Sequence, residues 1–472
     1  MLQTRNENDS ARQDAQYERL DDIVTAARKA GADACEAAFA VSHALSISVR
    51  KGEVETVERD ETSDLGLRVF VGKKQAVVSV SEFSKPTLTR LVERAIAMAK
   101  MAPDDDFAGL AEPALLYKDT GTAPDLQIYD SSHLSAADLQ QRALEIEAAG
   151  LSHADKAPAG AQLLSDAAST SYSQNMWSMA TWDGLQGGAG FRGSHQTSQF
   201  FQSGRFIAAD ANGHMERDGE GLSMRFAADL PDVSETGRIA AERTLAALGA
   251  RKIDTQKAAV IFDKRIAKSL IGQFVGAISG TMIARGSSFL KGLLGTQIFD
   301  SSIQITDDPF RPRGMGSCLF DDEGVAVQKR ALIKDGVLSE WLLNTASARQ
   351  LGMISTGHAS RSLVNPPGVS THNVTLSAGA SSPQELMKTV GKGVLITSMF
   401  GPSVNSDTGD WSAGASGFWF ENGIIAYPVN EITVAGNLID MFRHLVPAND
   451  LEIRGTLDTP SLLVESLSLG GK

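Results

Sequence analysis

Residues Leu395–Val446 read LITSMFGPSVNSDTGDWSAGASGFWFENGIIAYPVNEITVAGNLIDMFRHLV and hold the densest local signals in the chain. Ala415–Phe420 and Ile424–Val429 are apolar or aromatic runs joined by Asn422-Gly423, a pair that tolerates the positive φ of a type I′ turn, so a β-hairpin is expected. Before it, Gly401-Pro402, Thr408-Gly409 and Gly414 break up a small-residue segment whose only charges are Asp407 and Asp410. That segment reads as a shaped loop, and loops held by rigid strands often carry binding or catalytic groups. A ligand-free glycine-rich connector is the plainer alternative.

Working outward, 472 residues exceed one ordinary core, and a prior of about 150 residues per domain favours two large domains. The 44 basic and 57 acidic side chains leave a formal charge of −13, which opposes direct nucleic-acid binding because duplex affinity rests on neutralised phosphates. Cys35 and Cys318 are the only cysteines and have no CxxC spacing, so neither a disulfide framework nor a thiolate zinc site is indicated. The polar N-terminus offers no secretory apolar core, and no run of about 18 apolar residues exists to span a membrane. A cytoplasmic protein is expected, with residues 1–15 a disordered tail.

Along the chain, Leu20, Ile23, Val24 and Ala27 share one helical face, closed by Gly31. From Cys35 to Phe83 the period becomes two, with turns at Lys51-Gly52 and Gly72-Lys73, an antiparallel meander. A helix to about Met101 follows, and Ser135-x-x-Asp138 caps another to Ala149. Gln162–Trp182 and Ser198–Asp210 read as long strands burying one face, the other wet or covered by a partner. Gly188–Gly193 matches GxGxxG, but an extended segment follows where a dinucleotide site needs a helix, so a hairpin end is expected. These signals give an α+β chain: an N-terminal domain over 16–230, an antiparallel sheet with helices on one face, then a mixed β-rich domain over 231–472. In the latter, Lys264–Ile283 is a helix with Gly272, Gly276 and Gly280 at every fourth position, expected to allow close packing. Asp335-Gly336 marks a second tight hairpin, and Trp341–Leu351 a helix ended by Gly352.

No complete catalytic set emerges. A zinc-peptidase helix needs two histidines one turn apart and a glutamate to deprotonate the bound water, whereas the eight histidines are dispersed. His358, in the glycine-flanked loop STGHASRS with Arg361, is the best single candidate. Gly414-Ala-Ser416-Gly417 falls one residue short of a nucleophile elbow, so Ser416 reads as a packing position. Asp407 and Asp410 suit turn formation better than acid–base work. His358, Arg361, Asp407, Asp410, Ser416, Trp419 and Asn422 are carried forward as residues lining a substrate chamber.

The strand AVIFD, the glycine-spaced helix, DDEGVAVQKRALIKDGVL, STGHASR, GDWSAGASGFWFENGIIAYPVNEITVAGNL and VESLSLGG together resemble the TldD/PmbA family, also called modulators of DNA gyrase, over residues 17–471. The resemblance implies a cytoplasmic metalloprotease of two unlike subunits that degrades flexible peptides in a closed chamber. In that family the TldD-type subunit carries HExxxH on the helix that here spans Lys264–Ile283. Gly272 and Ala277 stand at its histidine positions and Gln273 at its glutamate, and no cysteine follows Cys318 to complete the metal site. The chain thus resembles the metal-free PmbA/TldE-type partner, with no cofactor of its own and zinc in a TldD-type subunit. Offering the Ala415–Phe420 edge to an extended peptide would be its contribution to substrate binding. The alternatives are a stand-alone hydrolase built on His358, Asp407 and Asp410, or a binding protein acting on a gyrase-toxin system. Flat polar strands would also permit a self-dimer when the partner is absent.

Overall fold

The structure, a computed structural model, describes residues 2–472, with side chains from Ala15 onward. The first half runs α1 (Leu2–Lys29), β1 (Ala34–Arg50), β2 (Glu53–Val71), β3 (Lys74–Val80), α2 (Lys85–Met101), α3 (Ala136–Leu151), β4 (Gln162–Asp183), β5 (Arg192–Ala209), β6 (Met215–Met224) and α4 (Val233–Ala246). The strands form one antiparallel sheet in the order β3-β2-β1-β4-β5-β6.

All four helices lie on one face of this sheet, as the alternation requires. Cys35, Ala37 and Phe39 of β1 pack under α1 and α2, while Ile47 and Val49, of the same parity, pack under α3. Ala38, Met179 and Phe191 point the other way, against Phe320 and Leu363. At that end the second face of β4 and β5 is therefore covered by the chain's own C-terminal half. The backbone of α1 starts at Leu2, where a tail to residue 15 was expected; no glycine or proline interrupts the first 30 residues, so the ladder continues beyond the buried face. Ser135 and Asp138 make the reciprocal capping box. The helix after Asp232 belongs to this layer, since Ala240 and Ala241 pack on Phe206 and Ala208, so the change of layer falls after α4 rather than near residue 230.

The second half continues β7 (Gln256–Phe262), α5 (Lys264–Ala277), α6 (Gly280–Arg285), β8 (Ile305–Asp307), β9 (Arg330–Lys334), β10 (Val337–Leu338), α7 (Thr345–Leu351), β11 (Ala359–Ser360), β12 (Gly368–Val369), β13 (Val374–Leu376) and α8 (Pro383–Val390). It ends with β14 (Lys392–Val404), β15 (Asp410–Glu421), β16 (Ile424–Asn437), α9 (Leu438–Arg443), β17 (Leu445–Pro447), β18 (Leu457–Asp458) and β19 (Leu462–Gly470). The order β16-β15-β14-β7-β19 closes on itself through Thr433–Ala435 of β16 against Ser468–Gly470 of β19, with β17 alongside. Trp411, Ala413, Ala415 and Trp419 alternate into its core beside Phe274 of α5. A smaller sheet, β10-β9-β8-β13-β18, stands next to it.

Three local expectations change. The segment read as a loop over 401–414 is a hairpin: β14 runs to Val404 and β15 begins at Asp410. Its glycines answer close approaches, since a Cβ on Gly417 would collide with the Leu395 carbonyl and one on Gly414 with the Phe400 ring. The helix over Lys264–Ile283 breaks into α5 and α6, where the Gly280 N–H donates to the Leu342 carbonyl at 2.7 Å. The helix expected from Trp341 starts at Thr345, capped by Asn344, because Trp341–Leu343 are drawn into the core.

Candidate functional site

The helix α5 sits where the resemblance places a zinc motif, and it begins on Asp263, whose carboxylate accepts from the Arg265 backbone N–H. Ala267, Leu270, Ile271 and Phe274 anchor its buried face. A Cβ on Gly272 would touch only Leu457, at 3.7 Å, and one on Gly276 would meet nothing within 4 Å. Of the three spaced glycines, only Gly280 is enforced by packing: a Cβ there would lie 2.5 Å from Ser347 Oγ and 2.8 Å from the Leu342 carbonyl. Gly272, Gln273 and Ala277 supply neither imidazole nor carboxylate, so they do not fit a zinc ion or a general base.

The chemistry-bearing cluster lies elsewhere. The antiparallel register sets Val374 of β13 opposite Asp307 of β8, which brings His372 beside that carboxylate. Thr356 and the turn into β11 deliver His358 to the same point. His358 Nε2 and His372 Nδ1 each stand 3.0 Å from one atom, Asp307 Oδ2. The backbone N–H of His372 donates to the same carboxylate at 3.1 Å, and Thr356 Oγ1 is 2.8 Å from His358 Nδ1. Side-chain exposure is 0% for His358, 1% for Asp307 and 7% for His372.

Burial by itself would raise the Asp307 pKa; the hydrogen bonds and charge of the two imidazoles outweigh it and hold the carboxyl well below the usual range. Burial holds the His358 imidazole below its ordinary value, against the pull of Asp307. Acidic neighbours crowd the same interior. Burial and Glu323 push Asp321 well up, and burial pushes Asp322 up to about 6 although its carboxylate accepts the Arg361 backbone N–H. Sequence reading picked out His358 but missed its partners, since Asp307 lies 51 residues from it and only the strand pairing adds His372.

The other candidates do not gather around His358. Arg361 is a fully buried cation ion-paired with Glu36 of β1, a bond between the two halves of the molecule rather than a chamber residue. Asp407 and Asp410 belong to the exposed β14–β15 turn, where Asn405 accepts from the Asp407 N–H and Asp410 accepts from Thr408 and Asn437. Trp419 is buried, its indole N–H donating to Glu421. Asn422 is the turn residue foreseen, with φ 52° beside Gly423 at 74°. Ser416 lies within β15 opposite Ser398. Because β15 is paired on both sides, by β14 and β16, its edge is not open to an added strand.

Comparison with known proteins follows this architecture. Models described as the PmbA/TldA metallopeptidase C-terminal domain and domain 1 match residues 255–471 and 35–99. These place the chain among metallopeptidase-type proteins. It is 35% identical to Metalloprotease PmbA of Escherichia coli O157:H7, covering 97% of this chain and 98% of that protein. A Metalloprotease PmbA homolog of Haemophilus influenzae is 34% identical, with 98% and 99% covered. The fold matches TldE of Thermococcus kodakarensis with a TM-score of 0.81 at 19% identity, covering 96% of this chain and all of that one (100%). The chain belongs to the PmbA/TldD family. Among the described residues, no helix is long and apolar enough to cross a membrane.

Proposed function

We propose that this chain is the TldE-type, non-catalytic subunit of a two-component metallopeptidase whose zinc and general base come from a TldD-type partner bearing HExxxH. The observation that carries the reading is α5: a well-anchored helix with space at Gly272 and no ligand or base at the motif positions. Packing does not exclude a side chain at Gly272, so the missing group reflects the residue type there and not a crowded backbone. The chain's part is to complete the enclosure and hold the active subunit, with flexible peptides as the substrate class. The hydrolase alternative is disfavoured because His358 is buried with Asp307 and His372, apart from the turn that holds Asp407 and Asp410. Co-expression with an HExxxH-bearing family member from the same cell tests the proposal. A stable complex of both chains on size-exclusion chromatography, active on an unstructured peptide, is expected; two separately eluting chains with the partner equally active alone would defeat it.

A further inference from the structure

We propose that Asp307, His358 and His372 form a structural site for one divalent ion of the zinc class, separate from the motif positions on α5. Three potential ligand atoms, one carboxylate oxygen and one nitrogen from each imidazole, lie within 4.8 Å of one another. Both imidazoles aim at the same oxygen, Asp307 Oδ2, at 3.0 Å, while among the described residues Oδ1 receives only the His372 backbone N–H that it shares with Oδ2. The nitrogen–oxygen separations of 3.0 Å are close to those of ligands around one ion, since atoms each about 2.0–2.2 Å from zinc stand roughly 3 Å or slightly more apart.

The surroundings fit in two further respects. A ligating imidazole donates its other N–H to a fixed acceptor. Thr356 Oγ1 waits 2.8 Å from His358 Nδ1, itself positioned by the Leu343 backbone N–H at 2.7 Å. When the ion takes Nε2, the imidazole proton sits on Nδ1 and the Thr356 hydroxyl accepts it, turning its own hydrogen to the Leu343 carbonyl at 3.3 Å. The second respect is charge. Asp307, Asp321 and Asp322 act on one interior around Cys318, where Arg68 faces Glu323, Arg330 acts on His358 and Arg361 is committed to Glu36. A dication would add positive charge directly beside the Asp307 carboxylate, as buried carboxylates require a partner.

The nitrogen–oxygen donor set and three protein ligands suit zinc or cobalt more than the hard, oxygen-seeking magnesium or calcium. Burial argues for a structural role: His358 and Asp307 are essentially inaccessible, and beside three protein ligands the fourth position would fall to a water. Bound there, the ion would tie the end of β8 to the segments before β11 and β13.

The test uses the full chain, stripped with a chelator, loaded with ZnCl2 or CoCl2 and passed over a desalting column before metal analysis. Expected are about one zinc per chain and, with cobalt, the strong visible absorption of a four- or five-coordinate nitrogen–oxygen site. Asp307→Asn and His372→Ala should lower retained zinc by more than about tenfold, the low end of what even outer-shell losses do at such sites. His372→Cys, which restores a ligand, should recover it. If His372→Ala does not fold, the cobalt spectrum of the parent decides alone: strong absorption supports the site, and the pale spectrum of the aquo ion overturns it. A parent that retains no zinc, or variants that retain as much as the parent, also overturns it.

Discussion

The Glu36–Arg361 ion pair makes a quantitative test of how the two halves are joined. Both side chains are fully buried, at 0% exposure. Among the described residues Glu36 has no other side-chain partner, and the Arg361 guanidinium otherwise reaches only the Ser362 carbonyl, at 3.4 Å. Replacing Glu36 by Gln keeps the shape of the side chain but leaves a fully buried guanidinium with one long hydrogen bond. Removing one member of a buried pair costs about 3–5 kcal/mol, whereas replacing both by apolar groups of similar size is often close to neutral. Glu36→Gln and Arg361→Met should each lose about 3–5 kcal/mol in urea unfolding. The double variant Glu36→Leu/Arg361→Met should lie within about 2 kcal/mol of the parent, so the coupling in the cycle exceeds about 3 kcal/mol. Because the pair bridges the halves, the single variants should also split the transition, with probes in the N-terminal sheet and the barrel no longer coinciding. Single losses under about 1 kcal/mol, or strict additivity, would refute the claim that this pair fastens the halves together.

Two further predictions concern the helix and acid stability. Gly276→Ala adds a methyl into open space within a helix and should stabilise by roughly 0.5–1 kcal/mol, while Gly280→Ala drives a Cβ into Ser347 and the Leu342 carbonyl and should destabilise; thermal melts of the two variants check both signs. Burial, aided by Arg225, lowers the His195 pKa from 6.5 to about 4, so the unfolded chain binds the extra proton between those values and stability falls as pH drops through that window. Relative to His195→Gln the parent should lose up to roughly 3 kcal/mol between pH 6.5 and 4; the comparison cancels the opposite trend from Asp322, whose raised pKa favours the folded state over part of the same range. A difference that does not change with pH would show that the imidazole stays solvated.

Much of the fold could be read from local chemistry. Asn422-Gly423 and Asp335-Gly336 both adopt the two positive φ angles that their residue types favour, and Ser135 with Asp138 closes the predicted capping box. The apolar period of two located β1 to β5, and its parity placed the helices on one face. What the sequence could not show depends on residues distant in the chain. Gly414 looks like a loop former until Phe400 is seen to occupy the space of a side chain, and the need for Gly417 within the expected strand shows only when the Leu395 carbonyl is set against it. Closure of the barrel rests on three residue pairs between β16 and β19, which no turn signal announces. Arg361, expected to line a chamber, has its counter-charge 325 positions earlier in the chain, and Asp307 meets its histidines only once β13 is set beside β8.

The most direct measurement is the initial rate at which the purified chain, alone and supplied with zinc, cleaves an unstructured peptide. The account predicts no cleavage above the buffer, with or without metal at Asp307, His358 and His372, and activity only when an HExxxH-bearing partner is added. Sustained hydrolysis by the isolated chain, unchanged by substitution of every residue from Gly272 to Ala277, would contradict it.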